Sequence, residues 1–126
     1  MEIKSFAEAC KKRKVNPKSL DSFKKLPAEY RKYMEAMYKL TIITEAINEG
    51  KKANWNDSNE YKYSPYFWIK ADAKRPSGFG FSSSTYGGWD SNTSIGSRLS
   101  FRKKEDCLYA IKKFESLYKI IFLYIK

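Results

Sequence analysis

Between Ala28 and Glu49 apolar side chains return every three or four residues: Tyr30, Tyr33/Met34, Met37, Leu40, Thr44 and Ile47, with Ala36 and Ile43 widening the row. That period places them on one stripe of a long α-helix. A stripe of this length has to be covered, so the rest of the chain must supply apolar faces to lie against it. Pro27 stands where a first-turn residue needs no N–H, and Gly50 is a natural stop. At this spacing the tyrosine–methionine stripe reads as core before it reads as a binding face.

Two further helices are expected. Ser5 can cap a helix through "SFAEACKKRK" (5–14), with Glu8 at the capping-box position and Phe6, Ala9 and Cys10 turned inward. Its basic end, "KKRK" (11–14), suits the helix dipole and reads as a solvated terminus more readily than as a nucleic-acid contact. The segment 15–27 is a connector pinned by Val15, Leu20 and Phe23. The last helix spans about Lys104 to Leu123, burying Leu108, Ile111, Phe114, Leu117/Tyr118 and Ile121, with Glu105 and Asp106 complementing its N-terminus. Between them, "YFWIKA" (66–71), "GFGFSSS" (78–84) and "SRLSF" (97–101) alternate like strands of an antiparallel meander.

The expected fold is therefore α+β: N-terminal helices, a small antiparallel sheet of about three strands, and a C-terminal helix packed on the sheet. One domain covers 1–126, with a helical part (1–50) and a sheet plus C-terminal helix (51–126). The expected core is Phe6, Met37, Leu40, Ile43, Ile47, Phe67, Ile69, Phe79, Phe81, Leu99, Phe101, Leu108, Ile111, Phe114, Leu117 and Ile121.

Charge and missing residue types narrow the chemistry. Lys and Arg total 25 against 14 Asp and Glu, a net +11, which favours encounter with anions such as nucleic acid, nucleotides or acidic proteins. Lysine supplies 20 of those cations and arginine 5, and lysine is the less shaped phosphate ligand. Histidine is absent, which removes Ser-His-Asp and Cys-His catalysis and histidine metal sites. Cys10 and Cys107 form no paired-thiol motif and sit in apolar helical patterns, so buried free thiols are expected. No apolar run reaches membrane-spanning length, and "MEIKSFAEACKKRK" lacks the order of a signal peptide. A cytoplasmic location is expected.

Three places offer candidate sites. The glycine- and serine-rich stretch 75–98 carries neither the dinucleotide G-x-G-x-x-G nor a G-K-[ST] leading into a helix, so "GFGF" reads as strand and "YGGWD" (86–90) as a turn. Arg98 and Arg102 would share one face of the third strand, and with Lys103 at the start of the last helix they could grip a phosphate. The alternative there is a charged, solvated face. In "NWNDSNEYKYSPYFW", Trp55, Tyr61, Tyr63, Tyr66 and Trp68 alternate with Lys62 and Lys70. Such rings with interleaved cations can stack bases, or they can pin a loop to the body. No carboxylate spacing marks a metal or an acid/base pair, and the Ser-x-x-Lys matches at Ser22, Ser100 and Ser116 are what chance gives. No catalytic residue, cofactor or metal is expected.

The run "AINEGKKANWNDSNEYKYSPYF", then "SGFGFS" and "GSRLSFRKKEDCLYAIKKFESLYK", resembles a family of small uncharacterised proteins encoded by Bacteroides-type gut bacteria and their phages. The likeness runs from about Phe6 to Tyr118 and rests on Asn48-Glu49-Gly50, Trp55, Lys62-Tyr63 before Pro65, and Gly96-Ser97-Arg98-Leu99. Lys51 and Lys52 stand where that family often has a tryptophan. The resemblance implies a phage or mobile-element origin and action in a host cytoplasm; it carries over no activity.

Taken together, these features point to a non-enzymatic binder of an anionic ligand, nucleic acid (DNA or RNA) first. The ligand-binding residues are expected to be Trp55, Tyr61, Lys62, Tyr63, Tyr66, Trp68, Arg98, Arg102 and Lys103. The alternatives are sequestration of a small nucleotide signal in phage–host anti-defence, and a protein–protein adaptor or inhibitor acting on a host protein. No membrane partner is expected, and nothing in the sequence sets an oligomeric state.

Overall fold

A computed structural model describes residues 3–52, 62–71, 79–87 and 97–123, with backbone only at 64, 66–71, 79–87, 97, 122 and 123. Four α-helices are present: α1 (Phe6–Arg13), α2 (Ala28–Ile47), α3 (Lys104–Lys113) and α4 (Glu115–Leu123). Two 3₁₀ segments, Pro17–Lys25 and Ser97–Leu99, lie between them. No helix among the described residues is long and apolar enough to cross a membrane.

The expected α+β fold is overturned. Over the residues whose side chains are described, 73 % are helical, 4 % are strand and no sheet forms. Beyond them the backbone makes one antiparallel ribbon, β1 (Tyr63–Ala71) with β2 (Phe79–Gly87), in register from Tyr63 opposite Gly87 to Ala71 opposite Phe79. Tyr86 and Gly87 therefore end a strand, and the rest of the expected turn at 86–90 lies outside the described residues. The third strand is reduced to a single bridge in which Tyr63 and Phe101 exchange N–H···O bonds of 2.9 and 2.7 Å. Its neighbours are otherwise engaged. Ser97–Leu99 coils into 3₁₀, and the Asn48 side chain takes the flanking backbone, its Nδ2 donating to Ser100 O (2.9 Å) and its Oδ1 accepting from Arg102 N–H (3.2 Å). The next hydrogen-bonded rung of the ladder would set Pro65 opposite Leu99, but Pro65 has no N–H to donate and Leu99 belongs to the 3₁₀ segment.

The core is accordingly helix on helix. Ala9 and Cys10 of α1, Leu40, Ile43, Ala46 and Ile47 of α2, Cys107, Ala110 and Ile111 of α3 and Tyr118 of α4 form one buried cluster, with Ile3, Leu99, Phe101 and Phe114. Small residues let α1 approach α2 closely. α4 lies on α2, and α3 also borders the ribbon. The predicted single C-terminal helix bends at Phe114 (φ −116°, ψ 28°), whose buried ring sits at the turn; no proline or glycine marks it. The stripe of α3 is buried as expected at Ile111 but not at Leu108, which is exposed, while Cys107 and Ala110 face inward beside it. Phe6, Met37, Leu117 and Ile121 are partly buried against the cluster, and Phe67, Ile69, Phe79 and Phe81 fall where side chains are not described.

Local rules explain the helix ends. Ser5 caps α1, its Oγ accepting from Glu8 N–H (3.2 Å); the Glu8 carboxylate accepts from Lys4 N–H (2.8 Å), one residue before the capping-box partner. The connector 15–27 becomes a 3₁₀ segment started by Asn16, whose Oδ1 accepts from Lys18 N–H. It folds onto Tyr38, which shares a 2.6 Å hydrogen bond with Ser19 and meets the rings of Phe23 and Phe6 edge-on at 5.5 and 6.3 Å.

Both α1 and α2 end in Schellman turns built on the wrong residue type. After α1, Val15 N–H donates to Cys10 O and Lys14 N–H to Lys11 O, with Lys14 left-handed at φ 59°. After α2, Gly50 N–H donates to Glu45 O and Glu49 N–H to Ala46 O, with Glu49 at φ 58°. Gly50 (φ 74°) is thus one residue past the position that glycine normally fills. A left-handed non-glycine residue costs about 1–2 kcal/mol, part of which glycine returns through its freer unfolded chain. Lys14→Gly should therefore be more stable than Lys14→Ala, which equally lacks the charge, by about 1 kcal/mol in urea unfolding.

Candidate anion-binding site

The site grows from the C-terminal end of α2. Asn48, its last side chain, fastens the start of α3 through the bonds to Ser100 and Arg102, so Arg102, Lys103 and Lys104 stand beside Glu49-Gly50-Lys51-Lys52. Arg13, at the end of α1, lies across Gly50: a Cβ there would sit 2.5 Å from Arg13 Nη1. Phe6 meets Tyr38 and Arg13 meets Gly50, so α1 and α2 run in the same general direction and finish side by side. Arg13, Lys14, Lys51, Lys52, Arg102, Lys103 and Lys104 are all exposed.

Part of this charge serves the helices. Lys11 to Lys14 follow the negative pole of α1, and Lys51 and Lys52 that of α2. The start of α3 is different. Its N-cap, Lys103, makes no side-chain cap hydrogen bond, so first-turn N–H groups without a side-chain cap adjoin three consecutive exposed cations. Glu105 and Asp106 partly offset them. Burial holds the Asp106 carboxyl above its ordinary range; the Lys103 cation pulls it down, while Glu105 and Glu49 push it up.

The expected site residues divide. Arg98 and Arg102 do not share a strand face, because Arg98 sits in a 3₁₀ turn. They still converge, since Arg98 reaches Glu45 (3.9 Å) and Arg102 binds Asn48, and Glu45 and Asn48 are neighbours on α2. The Arg98–Glu45 pair, with Arg98 78 % exposed, adds little stability. Lys62 is only 4 % exposed and Tyr63 packs half-buried against the core. Tyr66 and Trp68 lie on β1 with their side chains undescribed, and Trp55 and Tyr61 lie outside the described residues. Arg13, Lys14, Lys51 and Lys52 were not among the expected ligands; their convergence needs α1 and α2 to end together, which no local pattern announces.

Among the described residues no group of three or more acidic or cysteine side chains could hold a metal. Both cysteines are free and buried. Burial raises the Cys10 thiol, and burial together with the Asp106 carboxylate pushes Cys107 up to about 12 from 9.0. That leaves about a thousandfold less thiolate near neutrality. Cys107 alkylation in the native protein should be slower than that of a free thiol by at least this factor, and should reach the ordinary rate in denaturant.

Compared with protein-family models, curated proteins and solved structures, the chain matches none. No relative supplies a function, so the reading rests on the chain's own residues.

Proposed function

We propose that this protein is a non-enzymatic binder of an anionic ligand, nucleic acid first, held at the basic end where α1 and α2 finish and α3 begins. One observation carries the reading: Asn48 ties the backbone at Ser100 and Arg102, just before an N-terminus without a side-chain cap, to the end of α2, where Arg13 of α1 lies across Gly50. The net charge of +11 supports it by drawing polyanions to the surface. Lysine-rich, loosely shaped contacts favour backbone tracking over base readout. The phage or mobile-element origin, and with it the anti-defence alternative, rests on the sequence resemblance alone.

The test is equilibrium binding of labelled single-stranded DNA, the matching RNA, a duplex and a mononucleotide across a salt series. If about four phosphates are neutralised, affinity for the polymers should fall about 10²-fold from 50 to 200 mM salt. A mononucleotide that binds as tightly as the polymers, with little salt dependence, would replace this reading with nucleotide sequestration.

A further inference from the structure

Two of the described arginines use their guanidinium inside the protein: Arg31 donates to Leu26 O and Arg98 reaches Glu45. The side chains of Arg13 and Arg102 make no hydrogen bond or ion pair among the described residues. Of these two, Arg13 has a seat built for it. A Cβ on residue 50 would stand 2.5 Å from Arg13 Nη1 and 3.5 Å from its Cζ, so the guanidinium occupies the place a side chain at 50 would need. Gly50 also has φ 74°, in the left-handed region. Glycine is therefore favoured at 50 on two counts, and one of them concerns Arg13 alone.

Capping does not explain the seat. The carbonyls at this end of α2 are already taken: Thr44 O accepts from Asn48 N–H, Glu45 O from Gly50 N–H, Ala46 O from Glu49 N–H and Asn48 O from Lys51 N–H. Arg13 stands at two negative helix poles, its own and that of α2, and these attract the cation without using its N–H groups. Glu49, next to Gly50, makes no ion pair with it. The side chain is exposed, so its donors open to solvent. A guanidinium placed in this way suits two-point contact with a phosphate, which a lysine at the same position cannot make.

We infer that Arg13 is the shaped phosphate ligand of the basic end and that Gly50 is its positioning residue, since the absence of a Cβ is what lets the guanidinium lie across the end of α2. This rests on the nucleic-acid reading above and adds to it a contact that depends on geometry as well as charge.

The test measures binding of a single-stranded oligonucleotide across a salt series by the full chain and by Arg13→Lys, Arg13→Ala, Gly50→Ala and Arg13→Ala/Gly50→Ala. Arg13→Lys keeps the charge, so affinity should fall about tenfold while the salt slope holds. Arg13→Ala should also flatten the slope by about one phosphate. Gly50→Ala should act like Arg13→Lys by displacing the guanidinium, and should add nothing once Arg13 is alanine. Its left-handed backbone makes this variant less stable, so the cycle is read well below its melting temperature. In the unchanged chain the Arg13 Nε–H signal should move as the oligonucleotide is added. Arg13→Lys binding as tightly as the unchanged chain overturns the inference and leaves the nucleic-acid reading standing. A Gly50→Ala loss of the same size in the Arg13→Ala background does likewise. Absence of salt-dependent binding by the unchanged chain overturns both.

Discussion

Replacing Tyr118 with alanine should cost about 3–5 kcal/mol and lower the melting temperature by roughly 10–20 °C. Tyr118 is 0 % exposed and heads the largest fully buried side chains. It shares one buried cluster with Cys107 of α3, and α4, which carries it, lies on α2, so the ring fills space where the C-terminal helices close over the long one. Alanine would leave a cavity that rigid helices cannot close. Tyr118→Phe keeps the ring and should retain most of the stability that alanine loses, which separates packing from the hydroxyl. The same burial sets the alkaline limit. Burial, then the neighbouring Cys107, push the Tyr118 hydroxyl above the usual tyrosine range, and Cys107 itself is pushed up to about 12. Raised acids favour the folded state while they stay protonated. Their contribution is complete below their unfolded values and is lost as pH climbs through the folded ones. Unfolding free energy should thus decline from about pH 9 upward, and less steeply in Cys107→Ala.

Reversing Arg102 and Lys103 together, as Arg102→Glu/Lys103→Glu, should weaken single-stranded DNA binding about 10²-fold and flatten its salt dependence by about two phosphate equivalents. Both side chains are exposed, and Arg102 contributes to the fold through its backbone N–H, which the substitution keeps. Stability should change by less than about 0.5 kcal/mol. Asn48→Ala makes the complementary test. It keeps every cation but leaves Ser100 O and Arg102 N without their partner, so it should cost about 2 kcal/mol and also weaken binding by releasing the start of α3 from α2. A double-reversal variant with unchanged affinity would remove α3's N-terminus from the site.

How far the sequence reached depends on whether the deciding contact was local. The stripe from Tyr30 to Ile47 announced α2, and Ser5 with Glu8 announced the start of α1, because both are encoded within a few turns. The end of α2 was off by two residues, since Glu49 takes the left-handed position beside an available Gly50. The strand expected at 97–101 failed for a distant reason: the residue that would pair with Leu99 is Pro65, far earlier in the chain, which has no N–H to donate, and Ser97–Leu99 coils into 3₁₀. In the last helix Ile111, Phe114 and Tyr118 are buried as the pattern implied, and only Leu108 misleads, because close helix packing takes the smaller Cys107 and Ala110 inside. "KKRK" reads as a solvated end in isolation, and only the contact of Arg13 with Gly50 brings it to the site. In the same way, the sequence does not announce that Lys62 is buried or that Tyr63 packs half-buried against the core.

The central claim is that anion contact is concentrated where the three helix ends meet. Backbone amide shifts recorded while single-stranded DNA is titrated into the protein test it most directly. The account predicts that the largest changes fall on Lys14, Gly50 to Lys52 and Arg102 to Glu105 and fade as salt is raised. Changes centred on α2's first turns, or spread evenly over the surface lysines, would contradict it.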